Sequence, residues 1–151
     1  MNKKLMVCVD LTDQSLNIYR KHLRELNLNE FTEIHLIHAF QIQVYSDLFY
    51  IQKFPSEEEF QKIKESTLQV MKTLEADLGP IAQGIKLVYD CLLVSSPKTG
   101  LKDYAQENDI SVMAVSTRGK KGVESLFSSS LAEYMVRHAP CELIILRETN
   151  E

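Results

Sequence analysis

One segment of the sequence, residues 114–146, combines the residue types that bind phosphate. It reads AVSTRGKKGVESLFSSSLAEYMVRHAPCELIIL: an apolar run, a short basic loop with Gly119 and Gly122, a run of serines, a helical pattern and a second apolar run. The first backbone N–H groups of a helix have no partners within the helix, and the helix dipole favours an anion there. A glycine-bearing loop between a strand and a helix is therefore a candidate phosphate site.

The same loop reverses the charge of the chain locally. Arg118, Lys120 and Lys121 place three positive charges in a protein whose net charge is −4, and a local basic cluster is what an anion site needs. Ser129 and Ser130 can donate hydroxyl hydrogen bonds to phosphate oxygens. The alternative is that the lysines are only solvated and the serines cap a turn.

Five short apolar runs must position this loop. They are nearly continuous in apolar residues, which is typical of strands buried on both faces of a parallel sheet. The runs span residues 5–9, 34–40, 85–94, 110–115 and 142–147.

Helical patterns separate the runs. The first covers residues 11–28, with Thr12 or Asp13 as its cap, and the second runs from about Pro55 to Leu78, with Ser56 and Glu59 as a capping box. The third begins at Ser96-Pro97 and the fourth covers about Glu124 to His138. This alternation predicts an α/β fold, a doubly wound five-stranded parallel sheet with helices on both faces.

Composition restricts the class of protein. We expect one domain over residues 1–151, because this length supports a single substantial core. Mild acidity argues against nucleic-acid or membrane-surface binding, which needs a basic face. The first apolar run breaks at Asp10, too early for a signal peptide or a membrane span, so a cytoplasmic protein is expected.

The longest irregular segment is residues 41–54, QIQVYSDLFYIQKF. Its many aromatic and apolar residues favour a surface loop packed on the domain, or a loose extension of the following helix. The alternative is a lid or a flap that contacts a partner.

Ligands of doubly wound sheets bind at the carboxyl ends of the strands, where the strand order reverses. The sequence delivers Asp10, Ala39, the pair Ser95-Ser96 and the segment 116–122 to that edge. With these residues in view, the chain resembles a universal stress protein over nearly its whole length. The resemblance is carried by VCVDLTDQS (7–15), by IHLIHAF (34–40), by SPKTGLKDYAQENDISVMAVS (96–116) and, most specifically, by SLAEYMVRHAPCELIIL (130–146).

The resemblance implies an adenine nucleotide alpha hydrolase-like fold that binds ATP or AMP, with Mg²⁺ bridging the phosphates. The implied nucleotide-binding residues are Cys8, Asp10, Ala39, Val115, Ser116, Gly119, Ser129, Ser130 and Leu131, with Arg118, Lys120 and Lys121 as further phosphate contacts. Asp10, Ala39 and Cys8 would meet the adenine end.

The chain departs from the pattern of the nucleotide-binding members, Gly-x-x-Gly-x9-Gly-Ser/Thr. Here the positions read Ser116-x-x-Gly119-x9-Ser129-Ser130, and Ser95-Ser96 replace the glycine before the proline of the third helix. Where a left-handed backbone is needed, serine costs about 1–2 kcal/mol relative to glycine. The protein is thus either a cytoplasmic nucleotide-binding stress-response protein or a relative that has lost nucleotide and acts as a dimeric interaction module.

Residues suited to catalysis are scarce. The sequence has no G-x-S-x-G, H-E-x-x-H or Walker-type motif. We interpret His35 and His38 as core histidines or as support for a site, and Cys8, Cys91 and Cys141 as core thiols. We therefore expect a binding or regulatory protein with at most slow ATP hydrolysis; a nucleotide-activating transferase of related fold is a weaker alternative.

The last apolar run, 142–147, is expected at an edge of the sheet. Four consecutive apolar residues, 143–146, would leave that edge open to pairing with another chain. Two such strands, antiparallel across a two-fold axis, would form a homodimer, as in the resembled family. The alternative is that the tail from Arg147 to Glu151 covers the edge.

Overall fold

Strands and helices alternate along the chain. A computed structural model describes residues 2–117 and 130–147, except for the side chain of Ser130. The elements are β1 (Lys4–Cys8), α1 (Asp13–Leu23), a 3₁₀ turn (Leu28–Glu30), β2 (Glu33–Gln41), β3 (Gln43–Ser46), β4 (Ile51–Phe54), α2 (Glu57–Leu78), β5 (Lys86–Val94), α3 (Pro97–Glu107), β6 (Val112–Thr117), α4 (Ser130–His138) and β7 (Glu142–Arg147).

Five of the strands form one parallel sheet in the order β5-β2-β1-β6-β7. The predicted fold class is confirmed. The chain builds outward from β1 in one direction through β2 and β5, and in the other through β6 and β7. The strand order therefore reverses between β1 and β6, and β7 occupies one edge of the sheet, as expected.

Both faces of this sheet are buried, which explains the continuous apolar runs. Leu5 and Val7 of β1 point to the face covered by α1 and α2, where they join a core with Tyr19. Met6 of β1 points to the opposite face, where it packs with Met135 of α4 and with residues of α3. One central strand thus anchors two separate cores.

The predicted helix caps are largely confirmed. The Thr12 hydroxyl accepts a hydrogen bond from the Ser15 N–H, and Ser56 and Glu59 form the expected capping box. However, α1 ends at Leu23 and not near residue 28. Leu28 reaches the core from the 3₁₀ turn that follows, so its apolar spacing does not require a longer helix. For α4, the predicted residues 124–129 lie outside the described part of the chain.

Residues 41–54 contradict the expectation of a packed loop or helical extension. They form an antiparallel hairpin, β3 with β4, whose turn is held by Asp47: its carboxylate accepts the N–H groups of Phe49 and Tyr50. The hairpin is poorly buried, since Leu48 is 95% exposed and Phe49 is 91% exposed. β-branched and aromatic residues explain the strands, and the alternative of a lid or partner-contacting flap remains open.

The buried face of α4 supplies a test of this architecture. Met135 is fully buried and its neighbour Val136 is 64% exposed. Met135→Ala is expected to lower the free energy of unfolding by about 2–5 kcal/mol, because it leaves a cavity. Val136→Ala, the matched control, is expected to change it by less than about 0.5 kcal/mol. Urea denaturation measures both, and equal effects would contradict the assigned face of α4.

Candidate functional site at the strand ends

A cavity of about 190 Å³ opens at the carboxyl ends of the central strands. It lies where β1 and its neighbours β2 and β6 end, next to the point where the strand order reverses. Its walls also include residues from the first two turns of α3, from the start of α4 and from α1. The lining residues are Cys8, Val9, Asp10, Tyr19, His38, Ala39, Pro97, Leu101, Ser116 and Leu131.

The structure brings five of the predicted site residues together in this lining: Cys8, Asp10, Ala39, Ser116 and Leu131. Val115 is fully buried in the core on the face of α3 and α4 and is not part of the lining. Ser130 begins α4 beside the cavity. The other predicted residues, Arg118, Gly119, Lys120, Lys121 and Ser129, lie outside the described part of the chain, so the phosphate end stays a prediction.

Two hydrogen bonds between side chains connect Ser116 of β6, through Ser15, to Asp10 after the end of β1. The Ser116 hydroxyl donates to the Ser15 hydroxyl at 3.4 Å, and the Ser15 hydroxyl donates to Asp10 Oδ2 at 3.2 Å. Ser15 itself is only 1% exposed. This link joins residues 101 positions apart in sequence and orients the Asp10 carboxylate at the end of β1.

Tyr19 and Cys8 form a neutral part of the wall. The Tyr19 hydroxyl donates to the Cys8 carbonyl oxygen, and burial raises the pKa of Tyr19. Burial, followed by the charge of Cys141, raises the pKa of the Cys8 thiol to about 12. A thiol with such a pKa stays protonated near neutral pH and is a poor nucleophile. The interpretation of Cys8 and Cys91 as core thiols is confirmed by their burial, whereas Cys141 is half-buried.

The two histidines of β2 differ in their surroundings. His35 is 4% exposed, and its ring nitrogens contact the Glu33 carboxylate at 2.9 Å and the Tyr104 hydroxyl at 2.7 Å, so it is a satisfied core histidine. His38 is half-buried and lines the cavity, and its Nδ1–H donates to the Val9 carbonyl at 2.7 Å. The sequence signal for His38 was its place next to Ala39 at the end of a strand.

Sequence reasoning missed other parts of the lining. Tyr19, Pro97 and Leu101 fall within predicted helical patterns and were not expected at the site. Ser15, which donates to Asp10 but does not line the cavity, also falls within the first helical pattern. Pro97 follows the third strand of the sheet along the chain, so the strand-end rule could have identified it. Tyr19 and Leu101 carry no such signal, because only helix packing brings them to the strand ends.

The backbone at Ser116 corrects the expectation of strain there. Ser116 lies within β6 and pairs with Leu146 of β7, so its conformation is extended. Among the described residues, Asp109 alone has a positive φ outside glycine. A serine at position 116 therefore costs no left-handed strain. Ser129 lies outside the described residues, so backbone strain at that position stays a prediction.

The described residues contain neither a metal-binding cluster nor a membrane-spanning helix. Among residues 2–117 and 130–147, no group of three or more His, Cys, Asp and Glu side chains is placed to hold a metal ion. No helix in the described chain is both long and apolar enough to cross a bilayer.

The family model for the universal stress protein family matches residues 1–147. The chain belongs to the universal stress protein family. No curated protein matches the sequence. Among solved structures, it is similar to universal stress protein UspA from Lactobacillus plantarum, with 18% identity, 96% of this chain and 97% of that chain covered, and a TM-score of 0.70.

Two other similar structures were solved with a nucleotide bound. A universal stress protein family protein from Arabidopsis thaliana with AMP bound is 17% identical, with a TM-score of 0.61 over 97% of this chain and 92% of that one. A universal stress protein in complex with cAMP is 12% identical, with a TM-score of 0.63 over 95% of each chain. At these identities the likeness concerns the fold alone.

The extended backbone at Ser116 can be tested by the stability of two variants. If no strain is stored there, Ser116→Gly is expected to be less stable than Ser116→Ala by about 0.5–1 kcal/mol, because glycine loses more backbone entropy in a strand. The alanine variant is the matched control, since both remove the hydroxyl. Urea denaturation compares them, and a glycine variant more stable than the alanine variant would mean that position 116 is strained.

Proposed function

We propose that this universal stress protein binds an adenine nucleotide, ATP or AMP, in the cavity at the strand ends and acts as a regulatory or protective dimer. The observation that carries the proposal is the cavity itself. It combines apolar walls with Asp10 and the hydrogen-bonded Ser116 hydroxyl at the one place where a doubly wound sheet opens a crevice. A cytoplasmic location and the absence of an enzymatic role beyond slow hydrolysis remain predictions from the sequence.

The residues present fit the base end of a nucleotide. Pro97, Leu101 and Leu131 offer apolar surface for the faces of a planar ring, and Ala39 offers backbone groups for its edge. The volume of about 190 Å³ is below the roughly 300–1,000 Å³ typical of small-molecule sites. The described cavity therefore suits part of a nucleotide, the base with some of its ribose.

The phosphates would extend toward the start of α4. That helix begins at Ser130, beside the lining residue Leu131, and a helix N-terminus favours an anion. Gly119, Ser129 and the basic residues at 118, 120 and 121 would complete the phosphate end, by the family resemblance. Mg²⁺ would supply charge neutralisation by bridging phosphate oxygens.

The similar structures support this class of ligand. One was solved with AMP bound and another in complex with cAMP. Both nucleotides share adenine, whereas their phosphate groups differ. The base end is therefore the part of the site for which the proposal has most support.

A specific observation favours the alternative of an interaction module without nucleotide. Ser116 stands where nucleotide-binding members carry glycine, and its hydroxyl is already engaged with Ser15. Its Cβ occupies space that a glycine would leave to a ligand. The exposed hairpin with Leu48 and Phe49 would then be the candidate contact surface.

Direct binding separates the two candidates. Titration calorimetry with ATP and AMP is expected to show saturable binding of one molecule per chain. Gly119→Val is expected to weaken binding by at least about tenfold, because a β-branched side chain blocks close approach of phosphate to the backbone.

Gly122→Val is the matched control for that variant. Gly122 lies outside the resembled glycine spacing, so its substitution is expected to weaken binding less. Thermal unfolding without ligand checks that both variants remain folded. Wild-type protein that binds neither nucleotide would contradict the proposal and favour the interaction module, and unchanged affinity in Gly119→Val would contradict the assigned phosphate loop.

The proposed dimer rests on the open edge of β7. This strand pairs with β6 on one side only, and Ile145 in it is 43% exposed although it is apolar. An apolar edge strand without repelling charge is suited to pair with a copy of itself. The residues after Arg147 lie outside the described part of the chain, so the covering tail remains the alternative.

Charge placed on that edge tests the dimer. Ile145→Lys is expected to shift wild-type dimers to monomers at micromolar concentration, because two lysines would face each other across the axis. Ile81→Lys is the control, since Ile81 is 36% exposed in the turn after α2. Multi-angle light scattering measures the mass. A monomeric wild type, or an Ile145→Lys variant that stays dimeric, would refute the β7 interface.

A further inference from the structure

The parallel sheet has a second edge, which is formed by β5. Among the described strands only β2 pairs with β5, and the pairing runs along all nine residues from Lys86 to Val94. β5 is thus longer than β7, the opposite edge, which has six residues. An edge strand of this length is a template on which another chain can pair.

Alternate residues of β5 point their backbone groups away from the sheet. The Lys86 N–H donates to the Thr32 carbonyl at 3.1 Å, so Lys86 faces β2. The Val94 carbonyl accepts the Ile42 N–H at 2.8 Å, so Val94 faces β2 as well. Because backbone groups of a strand alternate between its two sides, the residues that face outward are Leu87, Tyr89, Cys91 and Leu93.

The Asp90 carboxylate occupies the outward N–H of Cys91. This N–H donates to Asp90 Oδ1 at 2.8 Å. Leu92, two residues after Asp90, packs in the core on the face of α3 and α4, so the Asp90 side chain leaves the strand on that same face. The carboxylate then turns to the edge, where a neighbouring strand would need the same N–H.

Lys64 reaches this carboxylate from the opposite face of the sheet. Lys64 belongs to α2, and α2 covers the face on which the Tyr89 hydroxyl donates to the Glu75 carboxylate at 2.6 Å. The Lys64 Nζ lies 3.1 Å from Asp90 Oδ1. Since β2 fills the inner side of β5, the contact passes around its outer edge. A charged pair therefore covers the middle of that edge.

We propose that Asp90, held in place by Lys64, closes the outer edge of β5 to strands of other chains. The strand suited to pair there is β5 of a second copy, because the run from Leu87 to Val94 contains one charged residue, Asp90. Across a two-fold axis near Asp90 the two carboxylates would also face each other, and like charges placed opposite each other destabilise a strand pair.

The closure leaves the sheet with one edge for pairing instead of two. The proposed dimer forms through β7, and a second open edge would let such dimers add to one another without a closed end. The role of Asp90 does not depend on nucleotide binding, and it applies equally to a chain that is monomeric.

Removal of the carboxylate is expected to open the edge. Asp90→Val places a good strand former at this position and releases the Cys91 N–H. In the Ile145→Lys background, in which the β7 edge carries a charge, Asp90→Val is expected to double the mass measured by multi-angle light scattering at micromolar concentration. In the wild-type background it is expected to give assemblies larger than those of the wild type. Unchanged mass in both backgrounds would overturn the proposal.

Asp90→Asn separates the hydrogen bond from the charge. Its amide oxygen can still accept the Cys91 N–H, although the ion pair with Lys64 is lost. In the same background this variant is expected to associate less than Asp90→Val. Equal association of the two variants would overturn the role of the bond to Cys91.

Lys64→Ala tests the other half of the bridge. It is expected to raise the mean mass in the Ile145→Lys background, because the Asp90 carboxylate is no longer held at the edge. Lys62→Ala is the matched control, since Lys62 is exposed two positions away on the same helix. Equal masses for the two alanine variants would overturn the role of Lys64.

A third substitution distinguishes strand pairing from general aggregation. Leu93 faces outward, so Leu93→Pro removes an N–H that β2 does not use and obstructs a strand on the outer side. Added to the Ile145→Lys and Asp90→Val substitutions, it is expected to restore the mass of the Ile145→Lys protein. Thermal unfolding verifies that each variant is folded. Association that persists in the folded proline variant would overturn pairing through β5.

Discussion

The strand order of the sheet reverses beside β1, and this reversal determines where a ligand can bind. From β1 the sheet grows one way through β2 and β5 and the other way through β6 and β7. Where the two directions diverge, the carboxyl ends of the strands leave a crevice that neither connection covers. The two cores pack against β1 from both faces. The residues at its end, Asp10 among them, therefore have a fixed position.

Hydrogen bonds between residues distant in sequence fix polar groups at the crevice. Ser116 reaches Ser15 and Asp10 from β6, and His38 takes the Val9 carbonyl from β2. Each bond engages a polar group that would otherwise need another partner in a partly buried place. The lining therefore carries a defined pattern of donors and acceptors before any ligand arrives. Pre-organisation of this kind lowers the cost of binding a small molecule.

Much of the fold could be predicted because burial on both faces leaves a continuous apolar signal. The hairpin of β3 and β4 could not be predicted in this way. Its apolar residues are exposed, whereas such residues usually indicate packing against a core. The end of α1 was predicted wrongly for another reason, which concerns Leu28. It contributes to the core from a turn, and helical spacing cannot distinguish a turn from a helix at that distance.

The candidate site could be predicted only in part. Asp10 follows the first apolar run and Ala39 lies at the end of the second, so the strand-end rule found both. Ser116 was placed in a loop because the apolar run ends at Val115, but pairing with β7 extends the strand to Thr117. Ser15 and Tyr19 reach the site through contacts with other elements, and a single sequence carries no sign of such contacts.

Hydrogen exchange with mass spectrometry, with and without ATP, shows whether the ligand occupies the crevice where β1, β2 and β6 end. Binding there is expected to slow exchange in the peptides that contain residues 8–10, 38–40 and 115–117, with little change in the hairpin 43–54. Protection confined to other segments, or no change at saturating ATP, would contradict binding in the crevice.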